Sequence, residues 1–194
     1  KGVAYDSRDV EPGSLFVCIR GTARDGGAYA EEAVKKGAAA LVAEKPVKMP
    51  GSVPCIQVAN ARSALAHIAA AWFGHPARRL ITIGITGTKG KTTTAHMIRE
   101  ILEGAGWRTG MLGTVSHMTG KRTFPAENTT PESYLVQKYL AEMVEAGLQC
   151  AVMEVSSQAL KQSRVEGIQF DYGVFTNIEP DHIAPGEHAD FTEY

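Results

Sequence analysis

Residues 80–93 read LITIGITGTKGKTT, an apolar run, a glycine-rich turn and the start of a helical pattern. A strand with no polar alternation is at home inside a parallel sheet covered on both faces. Parallel neighbours need crossover connections, usually helices, so this stretch commits the chain to an α/β architecture. The helix is expected from about Thr92 to Ala105, with Ala95, Ile98, Ile101 and Leu102 on one face and Gly104 and Gly106 ending it. A polyphosphate needs inward-pointing backbone amides, a cation and a helix N-terminus. Gly87 and Gly90 permit the tight backbone path, Thr88, Lys89 and Thr93 complete the loop, and Lys91 supplies charge to the β- and γ-phosphates. The Thr92 hydroxyl is placed for Mg²⁺. The general pattern G-x-x-x-x-G-K-[ST] requires glycine at position 85, where this chain has Ile85, with Gly84 one residue early. The loop is therefore a shorter variant. A ligand-free glycine turn is the competing reading, and G-K-T-T directly after a buried strand argues against it.

The 194 residues amount to about 1.3 domains at roughly 150 residues each. Alternating short elements precede the loop. Residues 15–19 and 39–43 read as strands, 29–36 as a helix ended by Gly37, and 55–58 as a strand. A helix over 61–73 has its apolar stripe at Ala61, Ala64, Leu65, Ile68, Ala69, Trp72 and Phe73, and Gly74-His75-Pro76 stops it. The expected fold is a small mixed α/β N-terminal domain over 1–76. A mostly parallel-sheet, P-loop ATPase-like domain over 77–194 follows and is incomplete at its C-terminus. In that second domain, 111–115, 150–155 and 172–175 are expected strands, the last two buried. Thr130 as N-cap and Pro131 at the first helical position should open a helix to about Ala146.

A net charge of −1 gives no reason to expect nucleic acid or an anionic membrane as partner. The 44% hydrophobic content suffices for a core and argues against general disorder, and no apolar run reaches membrane-spanning length. Cys18, Cys55 and Cys150 fit neither a disulfide framework nor a zinc pattern, which favours reduced thiols and a cytoplasmic location. The chain begins at Lys1 rather than Met and stops in a charged stretch, so it is read as a segment of a longer polypeptide.

Two further positions point to the same sheet end. Glu154 closes an apolar strand, and ligands in open α/β sheets bind beyond the carboxyl ends of strands. A carboxylate there can hold the Mg²⁺ of a nucleotide, although a lone Glu at a strand end is often only the start of a solvated loop. His182, in the stretch after the strand at 172–175, is a candidate metal ligand or phosphate-positioning group, against the commoner structural role of a single histidine.

Taken together, these residues resemble the Mur ligase family. Thr86-Gly87-Thr88-x-Gly90-Lys91-Thr92-Thr93 is similar to its ATP loop, usually TGTNGKT[ST], which is also related to that of folylpolyglutamate synthase and cyanophycin synthetase. Glu127-Asn128-Thr129-Thr130-Pro131 and Glu154-Val155-Ser156-Ser157 look like the corresponding segments of the MurE branch. Asp6-Ser7-Arg8, the stretch 12–17, Gly21 and Asp25-Gly26 are similar to its uridine-binding domain. The resemblance implies an ATP- and Mg²⁺-dependent amide ligase. Its substrates would be a UDP-MurNAc-dipeptide and an amino acid, which becomes the third residue of the peptidoglycan stem, by way of an acyl phosphate.

Residue by residue, the resemblance implies that Ser7 and Thr22-Ala23-Arg24 contact the UDP-sugar. Asn128, Thr129, Thr130, Ser156, Gln162 and Arg164 would hold the muramyl peptide. Lys91, Glu154 and His182 would carry the chemistry, with Thr92, Glu154 and His182 at the metal. A guanidinium fork at Arg164 suits a carboxylate or phosphate. Lys89 replaces the usual Asn of the loop, Gln158 a common His, and Ala184-Pro185-Gly186-Glu187-His188 the usual DHLDYHG ending, and these departures leave the acceptor open. The family's carbamylated Lys and its acceptor-selecting C-terminal domain would lie beyond Tyr194, so this chain alone is expected to bind without turnover. The alternatives are a folylpolyglutamate-synthase-like ligase and a non-catalytic nucleotide- or UDP-sugar-binding protein. Asp6-Ser7-Arg8 and Glu154-Val155-Ser156-Ser157 count against the former, and the retained Lys91, Thr92 and Glu154 against the latter.

Overall fold

The computed structural model describes residues 2–21, 25–47, 53–181, 183–184 and 188–194. It divides into two compact units, Lys1–Trp72 and Phe73–Tyr194.

The first unit carries β1 (Val3–Ala4), β2 (Leu15–Val17), α1 (Ala30–Lys35), β3 (Ala40–Ala43), β4 (Cys55–Gln57) and α2 (Ala61–Trp72). Its four strands form one all-parallel sheet in the order β1-β2-β3-β4. Phe16, Leu41, Ala30 and Ala33 centre its core. Gly37, at φ +97°, lets the chain leave α1, and its amide bonds the Val34 carbonyl at 2.9 Å. In α2 the buried stripe is Ala61, Leu65, Ala66, Ala69 and Ala70, whereas Trp72, expected on that stripe, is half exposed at the last turn.

The second unit carries β5 (Ile81–Thr86), α3 (Lys91–Gly104), β6 (Thr109–Leu112), β7 (Ser116–Met118), β8 (Thr123–Pro125), α4 (Ser133–Glu145), β9 (Cys150–Glu154), α5 (Ser157–Lys161) and β10 (Tyr172–Phe175). The sheet order is β10-β5-β9-β6-β7-β8. The first four strands are parallel, and β7 and β8 are added antiparallel. Ile83, Ile85, Met111 and Val152 pack under Ala95, Ile98 and Leu102 of α3 on one side. Leu112, Met153, Val136, Leu140 and Met143 form the other core with α4.

Four further expectations are corrected. β6 starts at Thr109 and ends at Leu112, so Gly113 and Thr114 lie past the strand rather than in it. On α3, Ile101 points to solvent, because the buried stripe runs through Ala95, Ile98 and Leu102 at helical spacing. Thr130 is not the N-cap of α4. Its hydroxyl donates to the Glu154 carbonyl at 2.8 Å and accepts from the Ser156 amide at 3.1 Å, and Glu132 caps the helix instead. β10 is not buried in this structure: among the described residues it is the edge strand, and Tyr172 and Phe175 are exposed.

Register positions the site. Thr86 faces Phe175 and Ile85 faces Glu154. Leu112 faces Met153, so four parallel strands end side by side and their following loops meet there.

Candidate functional site at the carboxyl ends of the parallel strands

The loop between β5 and α3 owes its path to two glycines. Gly87 sits at φ +131°, and a Cβ there would lie 2.2 Å from Thr176 Oγ1 and 2.7 Å from the Asn177 carbonyl oxygen. Gly90 sits at φ +83° as the residue capping α3, with open space around it, so conformation alone requires glycine there. The segment after β10 clamps the loop. The Thr88 amide donates to the Asn177 carbonyl at 3.0 Å and the Lys89 amide to Asn177 Oδ1 at 3.0 Å. Asn177 Nδ2 (3.1 Å) and Thr176 Oγ1 (2.8 Å) both donate to the Lys89 carbonyl. The Thr88 hydroxyl accepts from the Glu179 amide and bonds the Tyr194 hydroxyl at 2.7 Å.

Among the loop cations, Lys89 pairs with Glu179, and this carboxylate raises the Lys89 pKa above its ordinary value. Lys91 instead donates its ammonium to the carbonyls of Gly87 (2.6 Å) and Thr88 (3.1 Å). It opens α3, whose first amides lack intrahelical acceptors. Thr93 is exposed on the same turn. A helix N-terminus, a glycine path and a lysine held, among the described residues, only by carbonyls make an anion cradle.

Glu154 is fully buried at the end of β9. Its Oε2 accepts from the Thr92 hydroxyl at 2.9 Å and the Thr114 hydroxyl at 3.0 Å, and its Oε1 accepts from the Thr114 amide at 2.9 Å. A side chain at Gly113 would strike that carboxylate at 2.4 Å. Among the described residues no basic side chain pairs with Glu154, and no group of three or more His, Cys, Asp and Glu side chains is present. One buried carboxylate beside threonine hydroxyls suits a hard, oxygen-seeking cation that keeps other ligands of its own. His182 lies outside the described residues, as do Thr22, Ala23 and Arg24.

Thr129, Thr130, Ser156, Gln162 and Arg164 form a second cluster beside the first. Thr129 Oγ1 lies 3.1 Å from Thr114 Oγ1. Ser156 caps α5 by accepting from the Ala159 amide. The Arg164 guanidinium donates to the Thr130 carbonyl (2.8 Å) and to Gln162 Oε1 (2.7 and 3.1 Å), which fixes its plane. Asn128 is exposed. Gln158 lies on α5, where its Oε1 accepts from Gln162 at 3.4 Å. In the first unit, Ser7 lies on a 3₁₀ turn capped by Asp6, at a cleft of about 570 Å³ also lined by Arg8, Tyr29 and Glu32. The Arg8 guanidinium against Asp6 holds that carboxyl below its usual range.

Thr114, Thr176, Asn177 and Glu179 also belong to the strand-end cluster, although the sequence reading gave them no role. Their signal was available: each follows an apolar strand whose carboxyl end faces the loop.

Residues 85–194 match the Mur ligase middle domain, and residues 1–73 match the Mur ligase family catalytic domain. The chain is 47% identical over 189 residues to the UDP-N-acetylmuramoyl-L-alanyl-D-glutamate--2,6-diaminopimelate ligase of Geobacillus thermodenitrificans, which covers 97% of the chain and 38% of that protein. The protein of that name from Clostridium perfringens is 43% identical over 194 residues, covering 100% of the chain and 40% of the relative. The chain thus spans about two fifths of the length of these relatives. A solved ligase structure of the same name superposes with a TM-score of 0.79 at 24% identity, over 100% of this chain and 39% of that one. MurF from Acinetobacter baumannii gives 0.62 at 24%, over 100% and 38%. Both likenesses are of fold.

Proposed function

The chain belongs to the Mur ligase family, and from that premise we propose that it forms the nucleotide- and UDP-sugar-binding part of a ligase that adds the third residue of the peptidoglycan stem. The proposed reaction is ATP-dependent: a substrate carboxylate takes the γ-phosphoryl group, the incoming amine attacks the acyl phosphate, and phosphate leaves. The relatives' names point to 2,6-diaminopimelate as the amino acid and UDP-MurNAc-L-Ala-D-Glu as the substrate whose carboxylate is activated.

The observation that carries this reading is the juxtaposition, at one sheet end, of an anion cradle and a buried carboxylate that no basic side chain among the described residues pairs. In the proposal, Gly87, Thr88, Lys89, Gly90, Lys91, Thr92 and Thr93 receive the triphosphate. Lys91 exchanges its two carbonyl contacts for phosphate oxygens, a charge-assisted and therefore stronger pairing. Thr92 and Glu154, with His182 as the further candidate, hold Mg²⁺, which supplies Lewis-acid neutralisation of phosphoryl charge. Thr129, Thr130, Ser156, Gln162 and Arg164 face the muramyl peptide, with Asn128 at its rim. Ser7 and its cleft, with the stretch 22–24, take the uridine diphosphate. No protein nucleophile is needed, since positioning and electrostatics carry phosphoryl transfer. No helix of the described residues is long and apolar enough to cross a membrane.

The test is titration of the chain with a non-hydrolysable ATP analogue plus Mg²⁺ and, separately, with UDP-MurNAc-L-Ala-D-Glu, followed by amide NMR. Nucleotide should shift residues 86–93, and the sugar nucleotide should shift residues around Ser7. Absence of both responses would defeat the proposal. A chimera carrying this chain in place of the matching part of the Geobacillus relative should form the amide with diaminopimelate, and the same chimera with Lys91→Ala should not. A folded chimera that ligates nothing would overturn the ligase reading.

A further inference from the structure

Thr114 occupies a position that the proposed nucleotide site does not yet explain. It follows β6 by two residues, past Gly113, and its side chain is exposed to the strand-end crevice. Its backbone amide reaches one oxygen of Glu154 (2.9 Å) and its hydroxyl the other (3.0 Å), so a single residue grips both ends of the carboxylate. The same hydroxyl lies 3.4 Å from Thr92 Oγ1 and 3.1 Å from Thr129 Oγ1. Gly113 permits this approach, because any side chain there would occupy the space of Glu154 Oε1. A carboxylate on a two-carbon stem has rotational freedom that burial alone does not remove, and a two-point grip fixes its plane. Groups that orient a metal-binding carboxylate from outside often matter for cation affinity nearly as much as the ligands themselves.

We propose that Thr114 is a positioning residue that sets the plane of Glu154, so that a nucleotide-bound divalent cation is received between Glu154 and Thr92. Its contact to Thr129 ties that setting to the stretch proposed to face the muramyl peptide. The inference rests on the proposed nucleotide reading, and the experiment separates the two. Binding of a non-hydrolysable ATP analogue to the 194-residue chain is measured by calorimetry with Mg²⁺ and again with EDTA, for the unaltered chain, Thr114→Val and Thr114→Ser. Valine keeps the shape and the amide contact but loses the hydroxyl, and serine restores it.

The gain in affinity that Mg²⁺ confers should shrink at least about tenfold in Thr114→Val, the loss expected for one hydrogen bond to a charged group. Affinity in EDTA should stay at the unaltered level, and Thr114→Ser should recover the gain. A structural role alone would lower affinity equally in both conditions, and that result overturns the inference, as does an unchanged Mg²⁺ gain in Thr114→Val. Should valine unfold the chain, Thr114→Ala measured against Thr114→Ser supplies the same comparison. No nucleotide binding by the unaltered chain would defeat the nucleotide reading itself and this inference with it. Binding that is intact but indifferent to Thr114 would defeat only the inference.

Discussion

Substituting alanine for Gly87 tests whether the phosphate loop is held by the segment after β10 or only by its own turn. Two costs arise if the loop stays in place. At φ +131° an L residue is strained, by about 1–3 kcal/mol. The new Cβ would also lie 2.2 Å from Thr176 Oγ1 and 2.7 Å from the Asn177 carbonyl oxygen. Thr176 can rotate away only by losing its hydrogen bonds to the carbonyls of Lys89 (2.8 Å) and Thr86 (3.2 Å), at about 1 kcal/mol each. The Asn177 backbone must move by more than half an ångström, which stretches the Thr88 amide contact. Together these amount to about 3–5 kcal/mol, unless the clamp lets go and caps the loss near 3 kcal/mol. Urea denaturation of Gly87→Ala followed by circular dichroism should therefore fall by about 3 kcal/mol. At about 4 °C per kcal/mol, the melting temperature should drop by about 10 °C. Hydrogen exchange should speed up at the amides of Thr88, Lys89 and Glu179, which the clamp ties down. Gly90→Ala is the control: nothing lies within 4 Å of its Cβ, so only a left-handed backbone cost of about 1 kcal/mol applies. Equal losses for the two variants, or unchanged exchange at the three amides in Gly87→Ala, would refute the clamp.

Lys91→Ala should lower affinity for a non-hydrolysable ATP analogue at least tenfold while shifting the melting temperature little, because the ammonium bonds only two loop carbonyls. Retained affinity in calorimetry would remove Lys91 from phosphate binding. Leu140→Ala, a fully buried change between Val136 and Met143, should cost about 2–5 kcal/mol in urea denaturation, and a loss below 1 kcal/mol would contradict the core described here. His117 is buried against Phe124 and Tyr139, and burial pushes its pKa below 6.5. The unfolded chain then binds the proton first, so stability is full above about pH 6.5 and falls below it, by at most about 1.4 kcal/mol per pH unit for this one group. Urea midpoints at pH 7.5 and 5.5 should differ less in His117→Gln than in the unaltered chain, and equal differences would count against the assignment.

The parts of the fold that were legible in the sequence are those with a local signature. LITIGI and CAVME are uniformly apolar, and both form strands in the middle of the sheet. The same logic fails for Tyr172–Phe175, because four apolar residues read alike in a central strand and in the edge strand that β10 becomes. The hairpin of β7 and β8 went unforeseen: SHM and TFP lack a clean alternation, and the pairing depends on β6 offering an antiparallel neighbour. Thr130 had the identity and spacing of a helix cap, but its hydroxyl makes tertiary bonds at the end of β9, and α4 starts two residues later than an N-cap at Thr130 would give. Thr114 and Asn177 carry no periodic signal. They matter because strand register brings their loops against residues 40 and 88 positions away in the chain.

The electrostatics of the strand end follow from this register. Removing a carboxylate from water costs several kcal/mol, and an opposite charge is the usual compensation. Lys91 and Glu154 are each supplied by neighbouring strand ends, yet neither is neutralised by the other. Among the described residues the ammonium is held by two carbonyl oxygens, and the carboxylate by two threonine hydroxyls and an amide. Three hydrogen bonds to a charged acceptor, at about 1.5–3 kcal/mol each, are of the size needed to offset burial without cancelling the charge. An ion pair would have spent each charge's attraction on the other. Neutral partners leave a positive group for phosphate and a negative group for a cation, each already oriented. That division of charge is the feature in which this sheet end differs from an ordinary buried salt bridge, and it depends on the short side chains at Thr92 and Thr114 and on the lack of one at Gly113.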